Sequence, residues 1–265
     1  PIEEPTSVTA PARKNRPART ATVTSVERLT PELVRISFDC PDLIGTELPH
    51  TDHYIKIVFG EMVTRTYTFR RIDTATGLFD VDFVTHGDQG LAGPWAQRAQ
   101  VGETITFRGP GGAWHPEEGY GHFVFAGDES AAPAIAAGVE KLPAGATADV
   151  YLEIADAGAT FDMPQPEGVT LHWVTRDGAT HGTALSGAVR AAGVPEARTG
   201  WFIHGVAEMI RELRRWLLVD RQVDRGDVSI SGYWRLGMTE DQWQASKRDF
   251  NAALEADLER AGVGS

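Results

Sequence analysis

The sequence changes its hydrophobic pattern once, and this change limits the folds that the chain can adopt. Up to about residue 108, short segments alternate apolar and polar residues, with glycine and proline between them. This alternation is typical of strands that bury one face, and several such strands in succession predict an antiparallel barrel or sandwich, of which we favour the barrel. The predicted strands are 21–26, 33–38, 53–59, 65–71, 78–84 and 103–107. One short helix is predicted at 94–98, because proline favours the first turn of a helix.

After Gly109-Pro110-Gly111-Gly112 the pattern becomes one of strands that alternate with helices. Residues 122–126 form a continuous apolar run, as expected for a strand that is buried on both faces. The further strands predicted in this half are 150–154, 169–174, 201–203 and 228–231. Helices are predicted in the alanine-rich segment that ends near residue 142 and at 183–192, 206–219 and 240–260. Because helical segments separate the strands, the sequence predicts a parallel α/β sheet.

We therefore predict two domains and two flanking segments. The predicted division is a loose N-terminal arm at 1–18, an antiparallel β-barrel at 19–113, a parallel-sheet α/β domain at 118–238 and a C-terminal helix at 239–265. The arm lacks the apolar core of a secretory signal. The pattern does not decide which domain the C-terminal helix packs on.

Composition argues against several classes of function. The formal net charge of −12 disfavours a general affinity for nucleic acid, but it is compatible with a local basic pocket for an anionic ligand. Cys40 is the only cysteine, so one chain can form neither an internal disulfide nor an all-cysteine iron–sulfur cluster. Electron transfer would therefore need an organic carrier. A single cysteine suits the cytoplasm, where we place the protein.

Two further kinds of site are not expected from the sequence. The histidines show no HxxxH or HExxH spacing, so we predict no protein-bound metal. No apolar run approaches the length that crosses a membrane, so we predict no membrane partner.

The residue types that can hold a flavin nucleotide occur together in the stretch Arg65-Thr66-Tyr67-Thr68-Phe69-Arg70-Arg71. Arg65 and Tyr67 are two residues apart on a predicted strand, so we expect them on one face. A guanidinium can grip a phosphate, a phenol ring can lie against a flat heterocycle, and a hydroxyl can bond a ring nitrogen. An ordinary amphipathic strand with exposed arginines explains the same residues.

Two turns are candidates for holding phosphates. The segment 82–95 joins a strand to a helix start, where free backbone N–H groups can bind a pyrophosphate. The segment 127–133 follows the first strand of the α/β half, and nucleotides bind at the carboxyl ends of such strands. A plain strand–turn–helix explains the first turn, and helix capping by Asp128 and Ser130 explains the second. Arg176 ends another strand, where it can meet a phosphate or be a surface arginine.

Five motifs occur in the order in which one protein family has them. They are the segment 65–70, His86-Gly87-Asp88-Gln89-Gly90 with Pro94-Trp95-Ala96, Gly109-Pro110-Gly111-Gly112, the segment 127–133, and Gly232-Tyr233-Trp234-Arg235-Leu236-Gly237. Through them the chain resembles the siderophore-interacting proteins, the FAD-containing ferric-siderophore reductases of bacteria. The resemblance implies a ferredoxin-reductase-like fold, in which a barrel binds FAD noncovalently and an α/β domain receives NADH or NADPH.

The resemblance also assigns site residues. It implies that Arg65 binds FAD phosphate, that Tyr67 packs on the isoalloxazine ring and that Thr68 bonds near its redox edge. The set implied for the cofactors is Arg65, Thr66, Tyr67, Thr68, Asp82, Phe83, Val84, His86, Gly90, Leu91, Ala92, Gly93, Trp95, Asp128, Glu129, Ser130, Ala131, Tyr233 and Trp234. Lys56 and Arg235 resemble the family's basic residues at the substrate mouth, which attract an anionic ferric chelate.

The implied function is a cytoplasmic reductase that passes electrons from NAD(P)H through FAD to Fe(III) in a siderophore, with no catalytic acid or base. Two positions depart from the family. Gly93 stands where serine is usual, and His204-Gly205-Val206 stands where Ala-Gly-Glu is usual. The alternatives that stay open are a ferredoxin as donor, a siderophore-binding or release module with structural FAD, and a flavin reductase that feeds another protein.

Overall fold

The computed structural model describes residues 17–61, 63–85 and 90–263. Within them, the first half of the chain forms a closed antiparallel barrel with the strand order β1-β2-β5-β4-β3-β6. Its elements are β1 (Ala18–Thr30), β2 (Leu33–Asp39), β3 (Tyr54–Phe59), β4 (Val63–Asp73), β5 (Leu78–Val84), α1 (Ala92–Arg98) and β6 (Thr104–Gly111). The predicted barrel is confirmed. Almost all of the predicted N-terminal arm lies outside the described residues.

Phenylalanine rings fill the barrel. Phe79 lies 5.0 Å from Phe38 and 4.9 Å from Phe69 between ring centroids, and all three rings are buried. Gly77 makes the turn from β4 to β5 with φ +81°, and a Cβ there would lie 2.5 Å from the Cys40 carbonyl oxygen. Only glycine fits this turn. The turn reverses the chain, so that β5 runs antiparallel to β4 in the barrel wall.

The second half forms a parallel sheet with the strand order β11-β10-β7-β8-β9. Its elements are β7 (His122–Gly127), α2 (Ala132–Val139), β8 (Thr147–Ile154), β9 (Val169–Thr175), α3 (Thr183–Ala192), β10 (Thr199–Val206), α4 (Ala207–Arg215), β11 (Val228–Trp234) and α5 (Glu240–Arg260). The predicted parallel α/β sheet is confirmed. The helix predicted over 206–219 is α4 followed by a π-helical turn at Trp216–Asp220.

The C-terminal helix α5 contacts both halves of the molecule. Its apolar stripe, which includes Trp243 and Phe250, belongs to the core of the α/β half. Its first turn reaches the barrel, where Asp241 pairs with Arg65 on β4. The helix therefore crosses the seam between barrel and sheet, at the place where the predicted site lies.

Candidate functional site at the seam

Hydrogen-bond donors of β4 hold two carboxylates. The Arg65 guanidinium donates to both oxygens of Asp241, with Nη1–Oδ1 at 3.0 Å and Nη2–Oδ2 at 3.2 Å. The Thr66 backbone N–H donates to Glu240 Oε1 at 3.2 Å. Arg65 is only 9% exposed, so it is not the exposed arginine of an ordinary amphipathic strand. This part of β4 is a binding place for anionic oxygens.

Tyr67 adds a flat ring beside these donors. In the register of β4 with β3, Arg65 lies opposite Ile57 and Tyr67 opposite Ile55, so the two residues share a face as predicted. The Tyr67 ring lies 4.5 Å from that of Phe83 between centroids. Burial raises the pKa of the phenol above its ordinary value, which keeps it neutral. An anion-binding fork beside a neutral aromatic ring fits the phosphates and ring system of FAD.

A chain of side-chain contacts joins β4 to the sheet. The Thr68 side chain neighbours the Tyr233 phenol, whose hydroxyl lies 3.1 Å from His204 Nδ1. His204 Nε2 lies 3.0 Å from Ser229 Oγ, and the imidazole stacks on Phe202 with a centroid distance of 3.8 Å. Thr68 and Tyr233 were predicted from the sequence as site residues, whereas His204 was not. These contacts link β10 to β11 and place the Tyr233 phenol at the seam beside β4.

Asp128 ties together the ends of three strands. Its carboxylate is 2% exposed and accepts hydrogen bonds from the Ser130 N–H at 3.0 Å, the Val206 N–H at 3.1 Å and the Trp234 indole N–H at 2.9 Å. The Ser130 hydroxyl also donates to it. Burial raises the pKa of this carboxyl. Its carboxylate therefore points into the protein and fixes the turn.

The sequence suggested that Asp128 and Ser130 cap the helix after β7, and the structure differs from this interpretation. The residue in the cap position before α2 is Ala131, whose methyl group cannot accept a hydrogen bond, so neither Asp128 nor Ser130 occupies that position. A Cβ on Gly205 would lie 2.8 Å from Asp128 Oδ2, and Gly205 has φ +143°. The glycine that follows His204 is thus required for the approach of β10 to this carboxylate.

Arg176 is held by two glutamates. Its Nη2 and Nη1 lie 2.8 Å and 3.0 Å from the two oxygens of Glu129, and Nη1 lies 3.5 Å from Glu153 Oε1. Arg176 is 7% exposed; the interpretation as a surface arginine is therefore wrong. The sequence did not nominate Glu153, although an acidic residue inside a buried strand is a signal for such a pair.

The segment 82–95 contributes several side chains to the barrel itself. Asp82 is buried and accepts hydrogen bonds from Arg35 at 2.7 and 2.9 Å. Phe83 is part of the barrel core. The Trp95 ring stacks on Phe38 with a centroid distance of 6.4 Å. These side chains shape the wall behind the turn.

The end of that segment presents mainly backbone. Gly90 has open space around the position of a Cβ, and Leu91 is exposed. Helix α1 begins at Ala92 without a side-chain cap, and Gly93 brings no hydroxyl. His86 lies outside the described residues, and its predicted role stays a prediction.

Both predicted substrate residues lie near α5. Lys56 is exposed, and its charge acts on Glu240 and Lys247. Arg235 lies 3.4 Å from Glu208, and its guanidinium lies 5.6 Å from the centroid of the Phe250 ring. The sequence did not nominate Lys247. Its position in the apolar stripe of α5 was the available signal.

One cavity adjoins β4, and a second lies between β1, β2 and β5 of the barrel and the turns of the sheet. The first, of about 720 Å³, lies towards the end of β4, beside Arg70 and α2, and none of the predicted site residues lines it. The second, of about 240 Å³, lies in the seam and is lined by Val84 and Glu129 among others. The smaller cavity is therefore the one that belongs to the predicted site.

Neither a metal centre nor a membrane-spanning helix is found among the described residues. Across the described ranges, no group of three or more histidine, cysteine, aspartate or glutamate side chains is arranged to hold a metal ion. In the same part of the chain, no helix is both long and apolar enough to span a bilayer.

Known protein families match most of the chain. Residues 120–237 match the model for siderophore-interacting protein, and residues 22–63 and 60–114 match that for the siderophore-interacting FAD-binding domain. An uncharacterized protein of Mycobacterium tuberculosis is 33% identical over 277 residues, which cover 90% of this chain and 97% of that protein. Ferric vibriobactin reductase ViuB of Vibrio cholerae is 28% identical over 239 residues, which cover 81% of this chain and 88% of that protein.

Solved structures give the same picture. A siderophore utilization protein from T. fusca has a TM-score of 0.76 and 32% identity, over 85% of this chain and 95% of its own. The ferredoxin reductase in carbazole 1,9a-dioxygenase has a TM-score of 0.67 and 16% identity, over 82% of this chain and 70% of its own. At that identity the second likeness concerns the fold alone, and it confirms a ferredoxin-reductase-like arrangement.

Because His204 is buried, we predict that the free energy of unfolding decreases in acid. Burial, and then the charge of Lys247, lower the pKa of His204 to about 3, against about 6.5 in an unfolded chain. Between these values only the unfolded state binds the proton, so stability falls as the pH falls, by about 1.4 kcal/mol per pH unit. We expect His204→Gln to reduce this slope, as measured by urea unfolding between pH 7.5 and 4.5. An unchanged slope, equal to that of a His115→Gln control, would contradict the assignment.

Proposed function

Because the chain belongs to the siderophore-interacting protein family, we propose that it is an FAD-dependent ferric-siderophore reductase that takes electrons from NADH or NADPH in the cytoplasm. The observation that carries the proposal is the pairing of Arg65 and Thr66 with two carboxylates at the seam. A flavin diphosphate requires the same donors. In the overall reaction one NAD(P)H reduces two Fe(III) ions and releases one proton. Hard-oxygen chelators bind Fe(II) poorly, so the iron leaves.

The barrel side of the seam holds FAD in this proposal. Arg65 and the Thr66 N–H bind the diphosphate, Tyr67 packs on the ring, and Thr68 faces its redox edge. The turn 90–95, together with His86, holds the rest of the molecule. Bound FAD supplies the conversion from a two-electron donor to a one-electron acceptor. The protein positions the flavin ring at the seam, with Tyr67 and Thr68 beside it.

The sheet side of the seam receives the nicotinamide dinucleotide. Nucleotides bind beyond the carboxyl ends of parallel strands, which here are the turns that carry Asp128, Glu129 and Arg176. Tyr233 and Trp234 border the flavin from this side, and their hydrogen bonds to His204 and Asp128 fix them. These residues would hold the nicotinamide end beside the flavin, and the bound dinucleotide would supply a hydride there.

The substrate is the anionic ferric chelate. Lys56 and Arg235 create a local positive field at the mouth of the site, although the whole chain is acidic. Electrons can cross a gap between the flavin edge and the chelate, so this step needs no catalytic acid or base.

A second candidate is a siderophore-binding or release module that keeps FAD structurally or receives electrons from a ferredoxin. The observation that favours it is Val206, which puts no carboxylate where the family usually has glutamate. Stopped-flow mixing of the FAD-loaded protein with NADH and with NADPH separates the two candidates. Reduction within seconds supports the reductase, and slow reduction by both dinucleotides supports the module.

An anaerobic assay tests the proposal directly. It contains the purified protein, FAD, NADH or NADPH and a panel of ferric hydroxamate and catecholate siderophores, with a ferrous chelator to report the product. Ferrous iron that appears only when protein, dinucleotide and a ferric chelate are all present would support the reductase. Bound flavin without ferrous iron for any pair would contradict it.

Arg65→Ala is expected to weaken FAD binding. A charge-assisted hydrogen bond contributes about 1.5–3 kcal/mol, so the dissociation constant should rise roughly tenfold to 150-fold. Quenching of flavin fluorescence on titration measures it. Arg71→Ala is the matched control, because Arg71 lies on the same strand and is exposed. Equal FAD affinity in the two variants would contradict the role of Arg65.

Asp241→Asn is expected to strengthen FAD binding. Asp241 occupies the guanidinium fork that the diphosphate needs, but its side chain is 66% exposed, and such a pair contributes only about 0.2–1 kcal/mol. Affinity should therefore rise up to roughly fivefold, as measured by the same titration. Asp249→Asn, on the same helix with an 83% exposed side chain, is the control. Weaker binding in Asp241→Asn would show that the carboxylate helps the site instead of competing for it.

A further inference from the structure

We propose that this chain prefers NADH to NADPH, and that Glu129 sets the preference by holding Arg176 away from the 2′-phosphate of NADPH. The inference rests on the proposed function, in which a nicotinamide dinucleotide is the donor. NADPH differs from NADH only in the phosphate on the 2′-oxygen of the adenosine ribose. In dinucleotide-binding sheets an arginine accommodates that phosphate, whereas an acidic residue accepts a hydrogen bond from the 2′-hydroxyl. The preference therefore depends on which of these groups is accessible at the carboxyl edge of the sheet.

The arginine at this edge is fully engaged. Glu129 follows β7 and Arg176 follows β9, and the carboxyl ends of these parallel strands lie at one edge. Glu129 binds the guanidinium through two hydrogen bonds of 2.8 and 3.0 Å. The side chain of Arg176 is 6% exposed and that of Glu129 is 13% exposed. A 2′-phosphate would have to displace a buried, bidentate carboxylate from it, which costs far more than displacing an exposed one.

The backbone N–H groups at the start of α3, which are the second place at this edge that could bind an anion, are occupied as well. Glu153, whose side chain is 0% exposed, accepts hydrogen bonds from the Gly182 N–H at 2.9 and 3.1 Å and from the Leu185 N–H at 3.2 Å. These N–H groups begin α3, and a helix start is otherwise a place where phosphate binds. Because Glu153 is fixed there, it also fixes the far side of Arg176. Neither group is available to a phosphate.

The cavity beside Glu129 favours a hydroxyl over a phosphate. It measures about 240 Å³, and the charged side chains among the described residues that line it are Glu32, Glu129 and Asp156. A phosphate monoester carries about −1.5 to −2 charges at neutral pH, so these carboxylates repel it. A ribose hydroxyl can donate a hydrogen bond to one of them. The same residues that exclude NADPH therefore accept NADH.

Two measurements on wild type and Glu129→Gln test the proposal. Stopped-flow reduction of the FAD-loaded protein gives the ratio of second-order rate constants for NADH and NADPH. Calorimetric titration of the oxidised protein with 5′-AMP and with adenosine 2′,5′-bisphosphate gives the affinity for the two adenosine ends without any turnover. Glu167→Gln is the control, because Glu167 is exposed and lies before β9, at the opposite edge of the sheet. Glu129→Ala is a second variant, and circular dichroism checks that each variant is folded.

We expect wild type and Glu167→Gln to favour the nucleotide without the 2′-phosphate by about tenfold or more. Glu129→Gln and Glu129→Ala remove the bidentate partner of Arg176, which keeps only the 3.5 Å contact to Glu153, and should reduce or reverse that ratio by a similar factor. A wild-type preference for NADPH, or a ratio unchanged in both Glu129 variants, would overturn the proposal. If neither dinucleotide reduces the flavin but the adenosine fragments bind with the expected preference, the donor in the proposed function is wrong and the role of Glu129 stands. If a dinucleotide reduces the flavin but neither fragment binds, the role of Glu129 is wrong and the proposed function stands. If neither dinucleotide reduces the flavin and neither fragment binds, both are wrong.

Discussion

Charges that are buried at the seam must be paired with an opposite charge or hydrogen-bonded, and this requirement organises the site. An unpaired charge in a protein interior costs more free energy than most folds can tolerate. Arg65, Asp128, Glu153 and Arg176 are each at most 9% exposed, and each is bound by groups from another element. Arg65 meets Asp241, 176 residues away, and Asp128 meets Trp234, 106 residues away. Pairing these charges therefore brings barrel, sheet and α5 together at one place.

The two arginines of the seam differ in how firmly they are held. Asp241, the partner of Arg65, has a side chain that is 66% exposed, so water can solvate it when another anion takes the fork. The partners of Arg176 are side chains that are 13% and 0% exposed. The first arginine is thus suited to exchange its carboxylate for a ligand phosphate, and the second is suited to hold the fold. This difference links the proposed FAD site to the proposed exclusion of NADPH.

Hydrophobic periodicity predicted the fold class and many elements, because it reports local burial. Leu78–Val84 and Thr183–Ala192 were predicted with the bounds that the structure has. β1 extends beyond the predicted 21–26 to Ala18–Thr30, with register shifts between Val23 and Ser25 and between Arg28 and Thr30, and such bulges break the alternation on which the prediction relied. Periodicity also predicted the helix Glu240–Arg260.

Contacts between distant residues were beyond the reach of the pattern. The apolar stripe of α5 indicates that the helix packs on another part of the protein. It does not indicate that the first turn of the helix lies against Arg65. For Arg176, the sequence offered a phosphate ligand or a surface residue, and the structure has a buried ion pair with Glu129. Pairing of this kind depends on which strand ends meet, and local sequence does not encode that.

The ratio of ferrous iron formed to dinucleotide oxidised tests the central claim most directly. It is measured anaerobically with the FAD-loaded protein, an excess of ferric siderophore and a ferrous chelator. The account predicts two ferrous ions for each dinucleotide, because the donor gives two electrons and each ferric ion accepts one. Oxidation of the dinucleotide without ferrous iron would show that the electrons go elsewhere and would contradict the account.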